Sequence, residues 1–259
     1  MSENNSKLKV KLINLKKPQQ GDKELYLYKI IPYKYLLQWI YAEKVRFDQI
    51  AKWDDVYELF LFKQKYIQNG NPINFEAESQ SIYAQSWSLV RDSEAMWRIY
   101  SPDKLSVRIK TSYNNLVGLL ESSDIFSKGL GAYLGKIKYM KPKNIDEKIH
   151  EYSKNIFSEE NIVDSLCIKR ESFSHEKECR IILWKQTVEM TNGCNAQTEI
   201  SPYINLAIRP LDLIQEIAFD SRLDDNLFSC LKSALHVLLP GIRIQKSTLG
   251  IIKPKTYTI

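Results

Sequence analysis

The stretch "SFSHEKECRIILW", residues 172–184, changes from charged to apolar and decides where a central strand of the fold begins. Its second half, "ECRIILW", is rich in bulky apolar residues, which predicts a buried strand. Residues two apart in a strand point to the same side, so an extended chain would place Glu176, Glu178 and Arg180 on one face. Two carboxylates and a guanidinium therefore gather at the polar end of an otherwise apolar face.

Two interpretations of this cluster stay open. In one, Arg180 neutralises Glu178 at the end of the strand, and the pair is purely structural. In the other, the cation keeps one carboxylate ionised while the neighbouring carboxylate accepts a hydrogen bond or stabilises developing positive charge, as in a paired-carboxylate active site. The Glu-x-Glu pattern alone does not decide between them.

The composition is that of a soluble globular protein. The chain has 259 residues, of which 44% are hydrophobic and 26% charged, and no apolar run reaches the roughly 18 residues that span a bilayer. We therefore expect no membrane association, and the first residues show no apolar segment of a signal peptide. The four cysteines form no CxxC pair, which favours free thiols in the cytoplasm over a zinc site.

The chain is mildly basic, with a formal net charge of +6. This charge is compatible with attraction to nucleic acid or another polyanion, although a solvated surface explains it more simply. Within "GKIKYMKPK", Lys136 and Lys138 fall on one side of a predicted strand and would form a small phosphate-facing stripe.

The order of elements predicts an α+β fold with a mainly antiparallel, twisted central sheet flanked by helices. Residues 1–22 form a polar basic arm that we expect to be partly disordered or strand-like, and residues 23–259 a single α+β domain. The predicted strands are "ELYLYKII", "SIYAQSWSLV", "KLSVRIK", "AYLGKIKYM", "ECRIILW", "YINLAIR", "IQEIAFD" and "IRIQKST". The predicted helices include "YKYLLQWIYAEK", "VYELFLFKQKYIQ", "SYNNLVGLLES", "EENIVDSLCIK" and "DDNLFSCLKSALHVLL".

The common catalytic signatures are absent from the sequence. There is no GxxxxGK[ST], no HExxH and no GxSxG, and "KGLGAYLG" precedes a strand rather than a helix, which predicts a plain turn. The three histidines assemble no metal-ligand set, so we expect no metal. The weakest alternative is a metal-dependent nuclease whose carboxylates would hold magnesium, since the sequence has no Asp…Glu-x-Lys pattern in a strand context. One of its two aspartates also suits a helix N-cap. Its carboxylates would be Asp54, Asp55, Glu176 and Glu178.

Aromatic and hydroxyl side chains upstream would suit a pocket for a stacked ring and a ribose. In "YAQSWS", Ser86 and Ser88 share one side of a strand, and in "AMWRIY" Trp97 and Tyr100 lie on a short helix. Tryptophan is more often a core residue than a ligand platform, so this interpretation needs support from the rest of the chain.

These pieces, in this order, resemble a bacterial family known as domain of unknown function 2971, over about residues 25–249. The resemblance rests on "LYKI", "WDDVYE", "AQSWS", "MWRIY", "KLSVRIK", the segment from "CIKR" to "EKECR", and "LIQEIAFDSRL" followed by "IRIQKSTL". The chain departs from the family pattern at Val56, where proline is usual, and at Trp87, where phenylalanine is usual.

The family is more distantly similar to ADP-ribosyltransferase-like folds, and this likeness implies a set of site residues. Those folds carry a histidine or arginine on the first strand, a serine or tyrosine in a second motif, and a glutamate on a later strand, often as Glu-x-Glu. Here the first position lacks the histidine or arginine. By this likeness, the first-strand position corresponds to Tyr28 or Lys29, and the second motif to Ser86 or Ser88. The catalytic glutamate corresponds to Glu178, with Glu176 as its partner.

The resemblance also implies NAD as a substrate, with Trp97 or Tyr100 stacking on a ring and Lys29 or Arg180 meeting phosphate. It implies an NAD-dependent ADP-ribosyltransferase-like bacterial defence or toxin-type effector that acts on protein or nucleic acid. The alternative is a non-catalytic sensor in phage defence that binds nucleic acid or a partner protein, using the basic segment from Lys136 to Lys141.

Overall fold

The structure is a computed structural model that describes residues 10–53, 55–73, 75–156, 158–185 and 201–249. The strands are β1 Lys11–Ile13, β2 Tyr26–Pro32, β3 Lys44–Gln49, β4 Tyr66–Gln68, β5 Asn71–Ile73, β6 Ile82–Ser88, β7 Ser106–Ser112, β8 Leu130–Lys136, β9 Lys138–Met140, β10 Ile168–Arg170, β11 Glu178–Lys185, β12 Tyr203–Ala207, β13 Glu216–Phe219 and β14 Arg243–Lys246. The α-helices are α1 Tyr33–Ala42, α2 Glu94–Tyr100, α3 Tyr113–Ser122, α4 Pro142–Ser153, α5 Glu159–Ser165, α6 Pro210–Leu213 and α7 Asp225–Leu238. Short 3-10 helices cover Ile50–Lys52, Val56–Leu59, Glu76–Ser81 and Glu171–Glu176.

Most strands belong to one large open sheet. Its strand order is β1-β8-β11-β6-β2-β7-β13-β14, and β3 and β12 branch from β6. Most pairings are antiparallel, but β1 runs parallel to β8 and β13 runs parallel to β14. The predicted mixture of helices with a mainly antiparallel sheet is confirmed, although the sheet is mixed rather than purely antiparallel.

The helices flank the sheet and contribute apolar side chains to its core. Leu36 and Trp39 of α1 and Leu116 and Leu120 of α3 are buried there. Such spacing at three to four residues is what a helix with one covered face requires. No helix within the described ranges is long and apolar enough to cross a membrane.

The predicted strand "ECRIILW" is confirmed as β11, which lies inside the sheet between β6 and β8. Both neighbours pair along nearly its whole length, so every residue of the quoted run is buried. Its alternate residues belong to two cores on opposite faces. Cys179, Ile181 and Leu183 pack in one core, and Ile182 and Trp184 in the other.

The sheet forks at β6. One edge of this strand pairs with β11 from end to end. On its other edge, within the described residues, β6 pairs with β2 at Ser88 and with β3 at Tyr83 and Ala84. The chain between those pairings, with Ser86 at its centre, therefore borders an opening between β2 and β3.

The predicted helix "VYELFLFKQKYIQ" is wrong beyond its first turn. A 3-10 helix covers Val56–Leu59, and β4 and β5 then form a hairpin. The residues from Leu59 to Phe62 are all buried, so this run has no polar side for a surface helix. Asn69 and Gly70, both with positive φ, close the hairpin, and Asn-Gly is a strong signal for such a turn.

The predicted helix "EENIVDSLCIK" is too long at its C-terminal end. The helix α5 ends at Ser165, and Ile168–Arg170 form β10, which runs parallel to β9. The residues from Leu166 to Ile168 are all fully buried, which leaves no solvent-facing side for another helical turn. The predicted strand "AYLGKIKYM" is divided into β8 and β9, and it is β9 that pairs with β10. Lys169 of β10 thereby lies next to Glu178, the first residue of β11.

The basic arm is strand-like over part of its length. Residues Lys11–Ile13 form β1 at the edge of the sheet and align with Tyr133–Gly135 of β8. Residues 1–9 lie outside the described residues.

Candidate active site

Glu178 opens β11 and lies beside the fork. It stands opposite Ser88 of β6, and Arg180 stands opposite Ser86. The Glu178 carboxylate accepts hydrogen bonds from Ser86 Oγ at 2.5 Å, from Arg180 Nε at 2.9 Å and from Lys169 Nζ at 3.2 Å. Both of its oxygens are therefore engaged by protein groups.

Glu176 reaches the same cluster by a route that its spacing does not predict. It ends the 3-10 helix Glu171–Glu176 instead of lying in the strand, and Lys177 follows with a left-handed φ of 43°. The prediction of an extended chain at Glu176 is therefore wrong. Its carboxylate nevertheless accepts hydrogen bonds from the Tyr100 hydroxyl at 2.9 Å and from Lys169 Nζ at 2.7 Å.

Lys169 is central to the cluster, and sequence reasoning missed it. Its ammonium lies 3.1 Å from a Glu58 oxygen, 2.7 Å from a Glu176 oxygen and 3.2 Å from a Glu178 oxygen. It lies in the three-residue strand β10, which the sequence pattern assigned to the end of a helix. The available signal was "CIKR", since cysteine and isoleucine suit a short strand better than a helix end.

Arg180 is enclosed behind Glu178 and does not line the cavity described below. Its side chain is 1% exposed and lies 2.8 Å from a Glu58 oxygen. It also donates to the main-chain oxygen of Leu166, and the ring of Trp53 lies 4.3 Å from its guanidinium. Because of this burial, Arg180 is placed to hold Glu178 rather than to meet the phosphate that the sequence suggests.

A cavity of about 100 Å³ opens in front of the carboxylates. The predicted site residues that line it are Tyr28, Lys29, Ser86, Ser88, Tyr100, Glu176 and Glu178. Lys169 joins them. Trp97 is not brought to the cavity, because its indole is buried and donates to Asp92 Oδ1 at 2.8 Å. Of the two predicted aromatic platforms, the structure therefore places Tyr100 at the cavity.

The cavity adjoins a larger groove of about 700 Å³. Lys29 and Ser86 line both spaces. The groove occupies the opening between β2 and β3 at the fork. Ligand sites commonly enclose about 300–1,000 Å³, so the groove has the volume of a ligand site, and the cavity is its polar end.

Lys29 stands where the two spaces meet. Its ammonium donates to the main-chain oxygen of Ser86 at 2.7 Å. Withdrawal from solvent lowers the pKa of Lys29 to about 8, although the charges of Glu178 and Asp48 oppose this shift. Lys29 is therefore able to act as a cation or as a proton acceptor near neutral pH.

The ionisation of the cluster is set by its own charges. Burial raises the pKa of Glu178, but the adjacent Arg180 and Lys169 cations outweigh burial and hold that pKa at about 2. Burial and the charge of Glu176 together raise the pKa of the Tyr100 hydroxyl. At neutral pH, Glu178 is therefore ionised and Tyr100 is neutral.

The magnesium alternative gains no support, because no group of three or more His, Cys, Asp or Glu within the described residues could hold a metal ion. Asp55 Oδ1 accepts the Tyr57 N–H at 3.0 Å, which confirms the predicted capping role for one of the two aspartates. Asp55 also lies 3.1 Å from Arg170 Nη2. Asp54 lies outside the described residues.

The predicted phosphate-facing stripe is divided between two strands. Lys136 ends β8, whereas Lys138 begins β9 and lies 3.2 Å from a carboxylate oxygen of Asp164. Lys138 is therefore already paired with an acidic side chain.

Residues 96–181 match the family described as "Protein of unknown function (DUF2971)". The predicted resemblance is confirmed over this range, which includes Tyr100, Lys169, Glu176, Glu178 and Arg180 but neither Glu58 nor Ser86. The family description names no activity. No curated protein matches the chain in sequence.

Solved structures of DarT from Thermus sp. 2.9 are similar to the chain at 10% identity and a TM-score of 0.38. One is described as a complex with ADP-ribosylated ssDNA, and it covers 86% of this chain and 94% of its own. Another is a complex with NAD+, and the match covers 88% of this chain and 98% of that one. A third is a complex with carba-NAD+, and the match covers 87% of this chain and 97% of that one.

Proposed function

We propose that the protein is an NAD-dependent ADP-ribosyltransferase-like enzyme, a bacterial defence or toxin-type effector that acts on nucleic acid or protein. The observation that carries the proposal is the Ser86–Glu178 pair. It joins an ionised carboxylate to a hydroxyl at 2.5 Å, on the wall of a cavity beside the fork. ADP-ribose transfer develops positive charge on the nicotinamide ribose, and a fixed carboxylate beside that sugar stabilises it. The choice of NAD comes from the sequence resemblance.

The charge of the cluster supports this proposal. Three carboxylates share two cations, and the members are Glu58, Glu176, Glu178, Lys169 and Arg180. Lys29 also lines the cavity, so these groups together sum to zero while Lys29 is protonated and to −1 once it is neutral. In an enclosed site an ionised carboxylate acts more strongly than in water, and Glu178 would favour a positively charged transition state beside it.

Five residues at the cavity take roles in this mechanism. Glu178 accepts a hydrogen bond from the ribose 2′-hydroxyl and faces the ring as nicotinamide leaves with the electrons of the N-glycosidic bond. Ser86 and Ser88 position the ribose, and Tyr100 offers a ring for stacking. The acceptor nucleophile then forms the new bond to C1′ and gives up its proton to solvent or to the neutral form of Lys29.

The cavity accommodates only the reacting end of NAD, because its volume is about 100 Å³. A small recess shares Tyr28, Ser88 and Met96 with the cavity and is also lined by Arg91. The Arg91 side chain is 56% exposed, so we assign it to the diphosphate at the surface, where a guanidinium binds phosphate oxygens well.

The test compares two carboxylates, each of which is paired with a basic side chain. Glu178→Gln is expected to lower nicotinamide release from NAD at least about 100-fold, because it removes the charge that stabilises the transition state. Asp164→Asn is the matched control, since Asp164 lies 3.2 Å from Lys138 Nζ and neither residue lines the cavity. Nicotinamide release and transfer of labelled ADP-ribose to protein, DNA and RNA are measured for both variants.

A folding defect would also abolish turnover, so circular dichroism melting accompanies each assay. Ser86→Ala is a milder second variant, because it removes the hydroxyl while every charge stays in place; we expect about a tenfold loss from this one hydrogen bond to a charged group. Equal turnover by wild type and a folded Glu178→Gln variant would refute the assignment. Absence of NAD turnover with every acceptor class would refute the transferase itself.

A second candidate function is a non-catalytic sensor that binds nucleic acid or a partner protein. The contacts of Glu178 favour it, since both carboxylate oxygens are engaged by Ser86, Arg180 and Lys169 and would hold the fork together without reacting. This candidate predicts no NAD turnover, and partner binding that survives Glu178→Gln.

A further inference from the structure

One wall of the groove at the fork is built from a strand with alternating character. Strand β3 buries alternate side chains, while its charged residues Lys44, Arg46 and Asp48 line the groove. In the neighbouring β12, Tyr203 lies opposite Asp48 and Asn205 opposite Arg46. Residues opposite each other in an antiparallel pair share a face, so both strands present polar and aromatic groups to the same space.

The groove carries an excess of positive charge. Among the described residues that line it, the cations are Lys29, Lys44, Arg46 and Lys52, and the one carboxylate is Asp48. That carboxylate already accepts a hydrogen bond from Arg46 at 2.7 Å. Lys44 and Lys52 are exposed, so their ammonium groups are placed to attract a polyanion.

Aromatic side chains alternate with these cations. Tyr35 and Tyr203 line the groove with 43% and 37% of their surface exposed, and the half-buried Trp53 joins them. The guanidinium of Arg46 lies 4.2 Å from the centre of the Tyr203 ring. Exposed rings between cations are typical of surfaces that stack nucleobases while holding the phosphates beside them.

We propose that the groove binds single-stranded nucleic acid, and, if the transferase proposal holds, that this strand is the ADP-ribose acceptor. The lysines would meet phosphates, and the exposed tyrosines would stack on unpaired bases. In a duplex the bases are stacked on one another, so its phosphates would contact the lysines but its bases would not stack on the tyrosine rings. An acidic peptide would likewise leave the rings without stacking partners.

The groove leads directly to the proposed reacting groups. Lys29 and Ser86 line both the groove and the cavity, and Ser86 Oγ lies 2.5 Å from Glu178 Oε1. A strand lying in the groove would therefore end beside the ribose that Glu178 holds, which gives the groove a place in the reaction as well as in binding.

The test is a binding measurement on the full chain without NAD. The double variant Lys44→Glu, Lys52→Glu is titrated against a labelled oligo-dT of about 20 nucleotides, with fluorescence anisotropy as the readout. We expect binding at least about tenfold weaker than wild type. The slope of log affinity against log salt is expected to fall by about 1.4, since each phosphate contact contributes about 0.7 on single strands.

The matched control reverses two exposed lysines of the other basic segment, as Lys136→Glu with Lys141→Glu. This control has the same charge change and is expected to bind like wild type. Unchanged binding by the Lys44, Lys52 variant would overturn the proposal, as would equal loss in the control.

The class of ligand is tested separately. Tyr203→Ala is expected to weaken oligo-dT binding about fivefold or more, because it removes the ring on which a base would stack. Tighter binding of the matching duplex, or of polyglutamate, would overturn the assignment to single strands. The binding assay contains no NAD, so its result does not depend on the transferase proposal. If the groove binds oligo-dT but the separate assay detects no NAD turnover, the transferase proposal is overturned and the binding proposal stands.

Discussion

Two arginines are buried in the central sheet, Arg180 of β11 and Arg108 of β7, and their surroundings differ. The two side chains are almost equally enclosed, at 1% and 2% exposure. Each binds two carboxylates. The partners of Arg180 are Glu58 and Glu178, and those of Arg108 are Asp92 and Glu216.

The difference between them lies in the open space that each cluster faces. Beside Arg180, Glu176 adds a third carboxylate and Lys169 a second cation, and the cluster faces a cavity that joins the groove. The recess at Arg108 holds about 10 Å³, which is room for roughly one water molecule. A buried ion pair is therefore a weak indicator of a site, whereas an ionic cluster that faces an open cavity is a stronger one.

The largest expected effect is on stability, when Arg180 is removed. Arg180→Met leaves Glu58 and Glu178 buried with Lys169 as their remaining cation. Removing one partner of a buried ionic cluster typically costs about 3–5 kcal/mol, because a charge is left uncompensated. The measurement is the free energy of unfolding in urea, followed by circular dichroism at pH 7.

The corresponding change in the second cluster is expected to cost less. After Arg108→Met, Asp92 keeps 17% of its side chain exposed, and Arg91 remains 3.7 Å from Glu216. Solvent and a nearby cation would therefore compensate part of the loss. An equal or larger loss for Arg108→Met would show that the two clusters do not differ as described.

The next effect in size concerns the response of Glu178 to acid. The pKa of Glu178 is held at about 2, below its ordinary value of 4.5. A depressed carboxyl pKa stabilises the fold above pH 4.5, and this contribution disappears as the pH falls towards 2. The shift is worth about 3 kcal/mol in all, of which about 2 kcal/mol is lost by pH 3.

The measurement for the acid response is the free energy of unfolding in urea between pH 7 and pH 3. Glu178→Gln is expected to remove about 2 kcal/mol of the decrease, because its amide does not titrate. If the variant loses stability with pH as steeply as wild type, Glu178 does not carry the low pKa.

The local part of the site could be predicted from the sequence, because strand geometry is local. The pleat of "ECRIILW" places Glu178 and Arg180 on one face without knowledge of any neighbour. The resemblance added Ser86, which the structure places 2.5 Å from Glu178. Sequence spacing alone does not give this contact, since it depends on the register between β6 and β11.

The non-local part could not be predicted. Lys169 enters the cluster because three residues pair with β9, and so short a pairing leaves no periodicity to detect. Glu58 enters from a 3-10 helix in a stretch that is too uniformly apolar to resemble one. The fork itself depends on β2 and β3 pairing with different ends of β6, which is a property of the sheet and not of any single segment.

The smallest expected effect concerns one hydroxyl at the cavity. Tyr100→Phe removes the 2.9 Å hydrogen bond to Glu176, and Tyr152→Phe removes a similar bond to Asp164 away from the cavity. Each loss is expected to cost about 1 kcal/mol of folding stability. If the cavity is the NAD site, only Tyr100→Phe raises the KM for NAD, by about fivefold, since Glu176 loses the contact that fixes it beside the substrate. Steady-state kinetics at matched folded fractions measure this difference. An equal rise in KM for Tyr152→Phe would mean that general loosening of the fold, and not the cavity, sets NAD affinity.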